Sequence, residues 1–138
     1  MGSIEVSEKD GVRYLHFGSA LVQGAMRVAR PWSLELEYTR EMLLPLLLRP
    51  GRAWPRTVLQ VGLGAASFTR FLHRHFPKTR VTVVEISPAV VAAARLSFRL
   101  PPASRQLAIE IAEAHEWLTR SERRFDLVLV DGFDDEGN

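Results

Sequence analysis

Four apolar runs in the second half of the chain lead into residues that could bind a ligand or move a proton. Thr57 to Val61 is followed by Gly62-Leu63-Gly64-Ala65-Ala66-Ser67, and Arg80 to Val84 ends at Glu85. Leu107 to Ala112 leads to Glu113, and Phe125 to Val130 ends at Asp131-Gly132-Phe133-Asp134-Asp135-Glu136. Gly62 and Gly64 allow a backbone to approach a ligand closely, and a helix starting at Ser67 would present its N-terminus there. As a G-x-G-x-x-G pattern the segment is degenerate, because Ser67 replaces the third glycine; taken alone it reads as a tight turn. Glu85 lies 21 residues after Gly64. A carboxylate at that place accepts hydrogen bonds from both hydroxyls of a ribose, or else simply starts a helix near Ser87. Glu113 has the same two readings, an adenine contact or a helix start. The acidic loop at 131–136 fits a cation, a polyamine or proton removal. An alkylamine with a pKa of ~10.4 is protonated at neutral pH and must lose a proton before it attacks. Oxygen ligation of a metal competes, but the spacing does not match a calcium loop, so no metal is expected. A plain acidic tail is the simplest alternative.

Other residue types carry less. His73 and His75 are two apart on a helix and point in different directions, and His16 and His115 are isolated. Trp32, Trp54 and Trp117 are not spaced as a stacking platform. The absence of cysteine excludes a disulfide scaffold, a thiolate zinc site and a cysteine nucleophile. With 16 acids against 18 bases, the total charge points to no polyanionic partner. The distribution is uneven: Met42 to Ile109 holds Glu85 as its single acid against ten bases. The arginines are scattered at helical spacing without interleaved aromatics, which argues for solvated helix faces over a nucleic-acid surface. The longest apolar runs, such as Met42 to Leu48, are far below the ~20 residues that span a bilayer, and the N-terminus has no signal-peptide pattern. A cytoplasmic protein is expected.

The elements that must position these residues follow from periodicity. Ile4 to Ser7 and Val12 to Phe17 alternate around a turn ending in Gly11, and Ala20 to Met26 reads as a third strand after Gly18-Ser19. Residues 1–30 are thus a small antiparallel sheet. Residues 31–56 form a linking helix and loop. Ser33 is placed to cap the helix, Leu36, Leu43, Leu46 and Leu47 form its buried face, and Pro45 should kink it or end it early. From 57 to 138, strands alternate with helices: Ser67 to Phe76 with Phe68, Phe71, Leu72 and His75 on one face, a helix opened by Ser87-Pro88, and Ala114 to Thr119. This is the order of an α/β doubly wound parallel sheet. Continuous apolar strands fit burial on both faces. Only Gly132 to Asn138 follow the fourth strand, so the sheet reads as incomplete at the C-terminus, a truncated product or an N-terminal fragment; were the chain complete, a partner would have to cover the exposed edge.

With these motifs in place, the chain resembles the spermidine synthase (polyamine aminopropyltransferase) family over nearly its whole length. The likeness runs through Leu21-Val22-Gln23-Gly24, Tyr38-Thr39-Arg40-Glu41-Met42, Val58 to Gly64, Val83 to Pro88 and Phe125 to Asp131. It implies a Rossmann-like fold of the class I methyltransferase type behind the small N-terminal sheet, and a homodimer. It also implies transfer of an aminopropyl group from decarboxylated S-adenosylmethionine, or use of S-adenosylmethionine itself, with a diamine such as putrescine as acceptor. By resemblance, Gln23 lies at the sulfur end of the donor, Gly62 and Gly64 shape the loop beneath it, Glu85 holds the ribose and Glu113 stands near the adenine. Asp131 matches the catalytic base, while Asp134 and Tyr38 match residues at the acceptor side. Three positions depart from the family pattern. Ala65 stands where the loop usually has an aspartate, Tyr38 is displaced by one, and Asp135 replaces a proline.

Two other functions compete. A methyltransferase on the same core is one, against which Gln60 stands where an acid usually precedes the glycines. The other is a non-catalytic nucleoside-binding or assembly protein.

Overall fold

The computed structural model describes residues 4–17, 22–48 and 54–131. Asp134 and the Gly18-Ser19 turn lie outside the described residues, as does the side chain of Tyr38.

β1 (Ile4–Lys9) and β2 (Val12–Phe17) form a hairpin with Lys9 opposite Val12. Its two turn residues, Asp10 and Gly11, have φ of 53° and 79°. That left-handed pair matches the twist of the flanking strands, and aspartate followed by glycine is the sequence that adopts it most readily. β3 (Val22–Arg27) pairs antiparallel with β2, with a bulge between Leu15 and His16. Four successive β3 residues, from Gln23 to Met26, are buried, because this strand is covered on both faces. Leu15 and Met26 pack with Ala65 and Phe98 of the second sheet's layer, so one apolar cluster joins the two parts of the chain.

The linking helix α1 (Glu37–Leu48) begins three residues later than the Ser33 cap predicts. Ser33 is used differently: its N–H and its hydroxyl both donate to the Arg30 carbonyl, closing a turn after Pro31. The chain then buries Leu34 before the helix starts. Pro45 does not end α1, which continues to Leu48. The carbonyl that loses its donor is that of Glu41, an exposed residue, where water can replace the missing bond.

The second sheet holds β4 (Thr57–Val61), β5 (Arg80–Glu85), β6 (Leu107–Ile111) and β7 (Leu127–Val130) in the order β6-β5-β4-β7, all parallel. α2 (Ser67–His75), α3 (Pro88–Ser97) and α4 (Ala114–Arg120) make the crossovers. Ser87 caps α3 as expected, its hydroxyl accepting from the Val90 N–H, with Pro88 in the first turn. Strand order reverses beside β4, which pairs with β5 on one side and β7 on the other. In such sheets the crevice for a ligand opens at the carboxyl ends next to that reversal.

Phe68 and Leu72 of α2, Val91 and Ala94 of α3, and Val58, Val83 and Leu129 of the strands form the main core. His75, placed on the same face by periodicity, is exposed at the end of α2, its ring tilted against that of Phe71 with centroids 4.6 Å apart. Burial on both faces holds for the central strands only. On the edge strands Ile111, Val128 and Val130 are 53%, 52% and 57% exposed.

Phe68→Ala should cost about 3–5 kcal/mol of stability, since a fully buried ring would leave a cavity. Urea unfolding checks this through a lower midpoint at an unchanged slope.

Candidate functional site

The glycine turn departs from β4 at the reversal point. Gly62 has φ of 85° and Gly64 of 53°, a region that favours glycine. Ala66 also stands at φ 62° and is the N-cap of α2, without a side-chain cap. Gly64 has a second reason to lack a side chain. A Cβ there would sit 3.2 Å from Asp131 Oδ2 and 3.5 Å from the Gln23 carbonyl oxygen. Gln23, Gly64 and Asp131, drawn from β3, the loop and the end of β7, therefore meet at one point. Asp131 is 3% exposed and is held through its N–H to the Val61 carbonyl at 2.7 Å.

Glu85 faces the same crevice from the end of β5. Its Oε1 accepts from the Leu63 N–H at 2.9 Å and its Oε2 from the Ser87 N–H at 2.8 Å. Two of a carboxylate's roughly four acceptor sites are thus used. Glu85 also fulfils the helix-start reading through Ser87. Glu113, by contrast, is exposed, and its carboxylate accepts from the N–H groups of His115 and Glu116, capping α4. Those two bonds hold its carboxyl below the ordinary value of 4.5. Tyr38 lies in α1.

Three contributors escaped the sequence reading. Gln60 is fully buried, with its amide nitrogen donating to the Gly62 carbonyl and its oxygen accepting from the Thr69 hydroxyl. It ties the loop to α2 while remaining uncharged. Arg70, expected on a solvated helix face, is 4% exposed. It donates to the carbonyls of Pro31, Ala65 and Phe98, so one guanidinium joins the linker, the loop and the end of α3. Desolvation pulls it down to about 10, opposed by the charge of Asp131. Helical periodicity puts Arg70 opposite the core face of α2; Pro31 of the linker and Phe98 at the end of α3 meet it on that side, which no local pattern reveals. Ile86 is 66% exposed directly after Glu85, an apolar surface at the crevice.

β3 itself touches the loop. A Cβ on Gly24 would lie 2.6 Å from the Ala65 Cβ and 2.8 Å from its nitrogen, and Ser67 donates to the Ala25 carbonyl at 3.1 Å. No cluster of three or more potential metal-ligating side chains occurs among the described residues. No helix among them is long and apolar enough to cross a membrane.

These features define a class. The chain belongs to the methyltransferase-domain family, which matches residues 58–134. Within that class it is spermidine synthase-like. A polyamine aminopropyltransferase of Neisseria meningitidis is 39% identical over 133 residues, 96% of this chain and 50% of that protein. The chain thus spans about half the length of the curated relatives it matches. A probable spermidine synthase from Corynebacterium glutamicum has the same fold, with a TM-score of 0.77 at 19% identity over 93% of this chain and 48% of its own. Human methyltransferase-like protein 13, solved in complex with SAH, aligns with a TM-score of 0.64 and 28% identity over 73% of this chain and 50% of its own.

Arg70→Met should destabilise the protein by about 3 kcal/mol or more, because three carbonyls lose their donor. Thermal unfolding tests this, and Arg70→Lys should recover part of the loss. Glu113 gives a pH test. Its folded value is depressed, so its contribution is present above 4.5 and is lost as pH falls through the lower folded value. Urea midpoints between pH 5 and pH 2 should therefore fall less in Glu113→Gln than in the wild type (roughly the window of an Asp or Glu titration).

Proposed function

We propose that the chain is the donor-binding part of a spermidine synthase-like transferase, moving an aminopropyl group from decarboxylated S-adenosylmethionine to a diamine such as putrescine. The observation that carries this is the convergence of Gln23, Gly64 and Asp131 on one side of the crevice, with the buried Glu85 carboxylate on the other. In this reading Glu85 grips the two ribose hydroxyls with its remaining lone pairs. Ile86 lies against the nucleobase. Gly62 and Gly64 let the loop backbone run beneath the thioether, and Gln23 borders the sulfur end. Asp131 takes a proton from the acceptor ammonium, and the neutral amine then attacks the carbon beside the sulfonium. The N–C bond forms as the C–S bond breaks, and the electron pair leaves on sulfur as 5′-methylthioadenosine. Positioning and proton removal supply most of the acceleration. Tyr38 and Asp134 belong to the acceptor side, Glu113 to the adenine end, and the assembly is a cytoplasmic homodimer.

Methyl transfer from intact S-adenosylmethionine is the second reading, and one observation favours it. Ala65 is 1% exposed and packed against Gly24, so the loop offers no carboxylate there to an aminopropyl ammonium. An unpaired cation in a partly dry site costs several kcal/mol. The structural likeness to an SAH-bound methyltransferase points the same way.

Calorimetry with the two donors and 5′-methylthioadenosine separates the readings. Aminopropyl transfer requires tighter binding of the decarboxylated donor; preference for the carboxylated donor favours methyl transfer; binding of neither overturns both. Glu85→Gln should weaken 5′-methylthioadenosine about tenfold or more, the worth of a charge-assisted hydrogen bond. Asp131→Asn should leave donor affinity unchanged and stop turnover, and equal rates in both proteins would remove it as the base.

A further inference from the structure

The amino ends of β4 and β5, opposite the glycine turn, border an open cleft of about 1030 Å3. Arg56 precedes β4, Lys78 lies in the turn between α2 and β5, and Arg80 opens β5; all three line the cleft and are exposed. The ion pairs among the described residues are Arg13–Glu8 and Arg27–Glu35, and neither touches it. Asp126 is the single acid among the described residues of the lining, and its Oδ2 accepts from the Arg56 backbone N–H at 2.7 Å. Three cations against one carboxylate leave the cleft positive.

The frame beneath is fixed. The Arg80 N–H donates to the Arg56 carbonyl at 2.9 Å, the Asp126 N–H to the Thr57 carbonyl at 3.0 Å, and the Thr79 hydroxyl to the Pro55 carbonyl at 2.7 Å. Arg56 on one segment and Lys78 and Arg80 on another therefore leave the backbone at the rim of one cleft, where like charges repel unless an anion lies between them. We propose that this cleft is a second ligand site, which takes a small anion carrying two or more phosphates. Guanidinium groups match phosphate oxygens in pairs, and the lysine adds a point charge. The volume is on the scale of small-molecule pockets. Trp54 and Phe76, both partly buried, give it an apolar side that suits a phosphorylated organic molecule as well as an inorganic one. The length of β4, about 16 Å at the rise of a parallel strand, separates it from the glycine turn, so the two sites could fill together. The proposal does not rest on the identity of the donor.

Calorimetric titration of the full chain with inorganic triphosphate tests it. At low salt one equivalent should bind, and binding should weaken at physiological salt. Lys78→Gln combined with Arg80→Gln should weaken it about tenfold or more at an unchanged unfolding temperature. Absence of binding at low salt, or equal affinity in the double variant, would overturn the assignment. Tighter binding of a short oligothymidylate that triphosphate fails to displace would overturn it in favour of a nucleic-acid surface.

Discussion

The carboxylate of Glu85 is the constraint around which the carboxyl end of the sheet is arranged. Its two oxygens reach two different segments, the glycine turn through Leu63 and the start of α3 through Ser87. The turn holds three left-handed residues within five positions, of which the two glycines adopt that region freely and Ala66 alone is strained. It persists because its N–H groups and carbonyls are bound from outside: Leu63 by Glu85, Gly62 by Val84 and Gln60, and Ala65 by Arg70. Hydrogen bonds to charged groups contribute about 1.5–3 kcal/mol each, enough to hold such a path. The residue best placed to bind a ribose thus also shapes the loop on which the rest of a nucleoside would lie.

Close approach is the second requirement. Gly24 and Ala65 let β3 lie on the loop at van der Waals contact, and Gly64 leaves the space that Asp131 and the Gln23 carbonyl border. The N-terminal sheet is therefore a wall of the site, joined to it by Ser67 and Ala25 and through Arg70 and Pro31. The same contact explains why Ala65 has no simple acidic replacement here. A longer side chain pointing at β3 would meet the backbone of Gly24 before it met a ligand.

Most of the strand pattern was legible because it is set locally. β4 matches the apolar run from Thr57 to Val61, the Asp10-Gly11 turn matches its hairpin, and Ser87-Pro88 matches the start of α3. The places where the sequence misled are those where a distant element decides. Ser33 has the chemistry of a cap, but Arg30 and Pro31 close a turn that claims it. Arg70 has the periodicity of a surface residue, but it is buried against the carbonyls of Pro31 in the linker, Ala65 in the loop and Phe98 at the end of α3. Glu113 was no such case: its helix-start reading is local, and its carboxylate is bound to its own helix. At the site, glycines and the isolated acid were readable from spacing, whereas Gln60 acts through side-chain bonds to the loop and α2, and Arg70 through distant carbonyls, neither of which spacing encodes.

The uneven charge of the sequence acquires a direction in the fold. All four strands of the second sheet run the same way, so a residue just before a strand always falls at one end of the sheet and a residue just after it at the other. Arg56, Lys78 and Arg80 precede or open strands, while Glu85, Glu113 and Asp131 close or follow them. Parallel topology alone therefore turns an irregular run of bases and acids into a domain with a cationic pole and an acidic one. A sulfonium donor and an ammonium acceptor are cations, and the pole that holds the carboxylates is the one at which the glycine turn opens. At the other pole an anion finds its counter-charges already assembled. The two ends of one sheet are thus electrostatically suited to ligands of opposite sign, a consequence of strand direction.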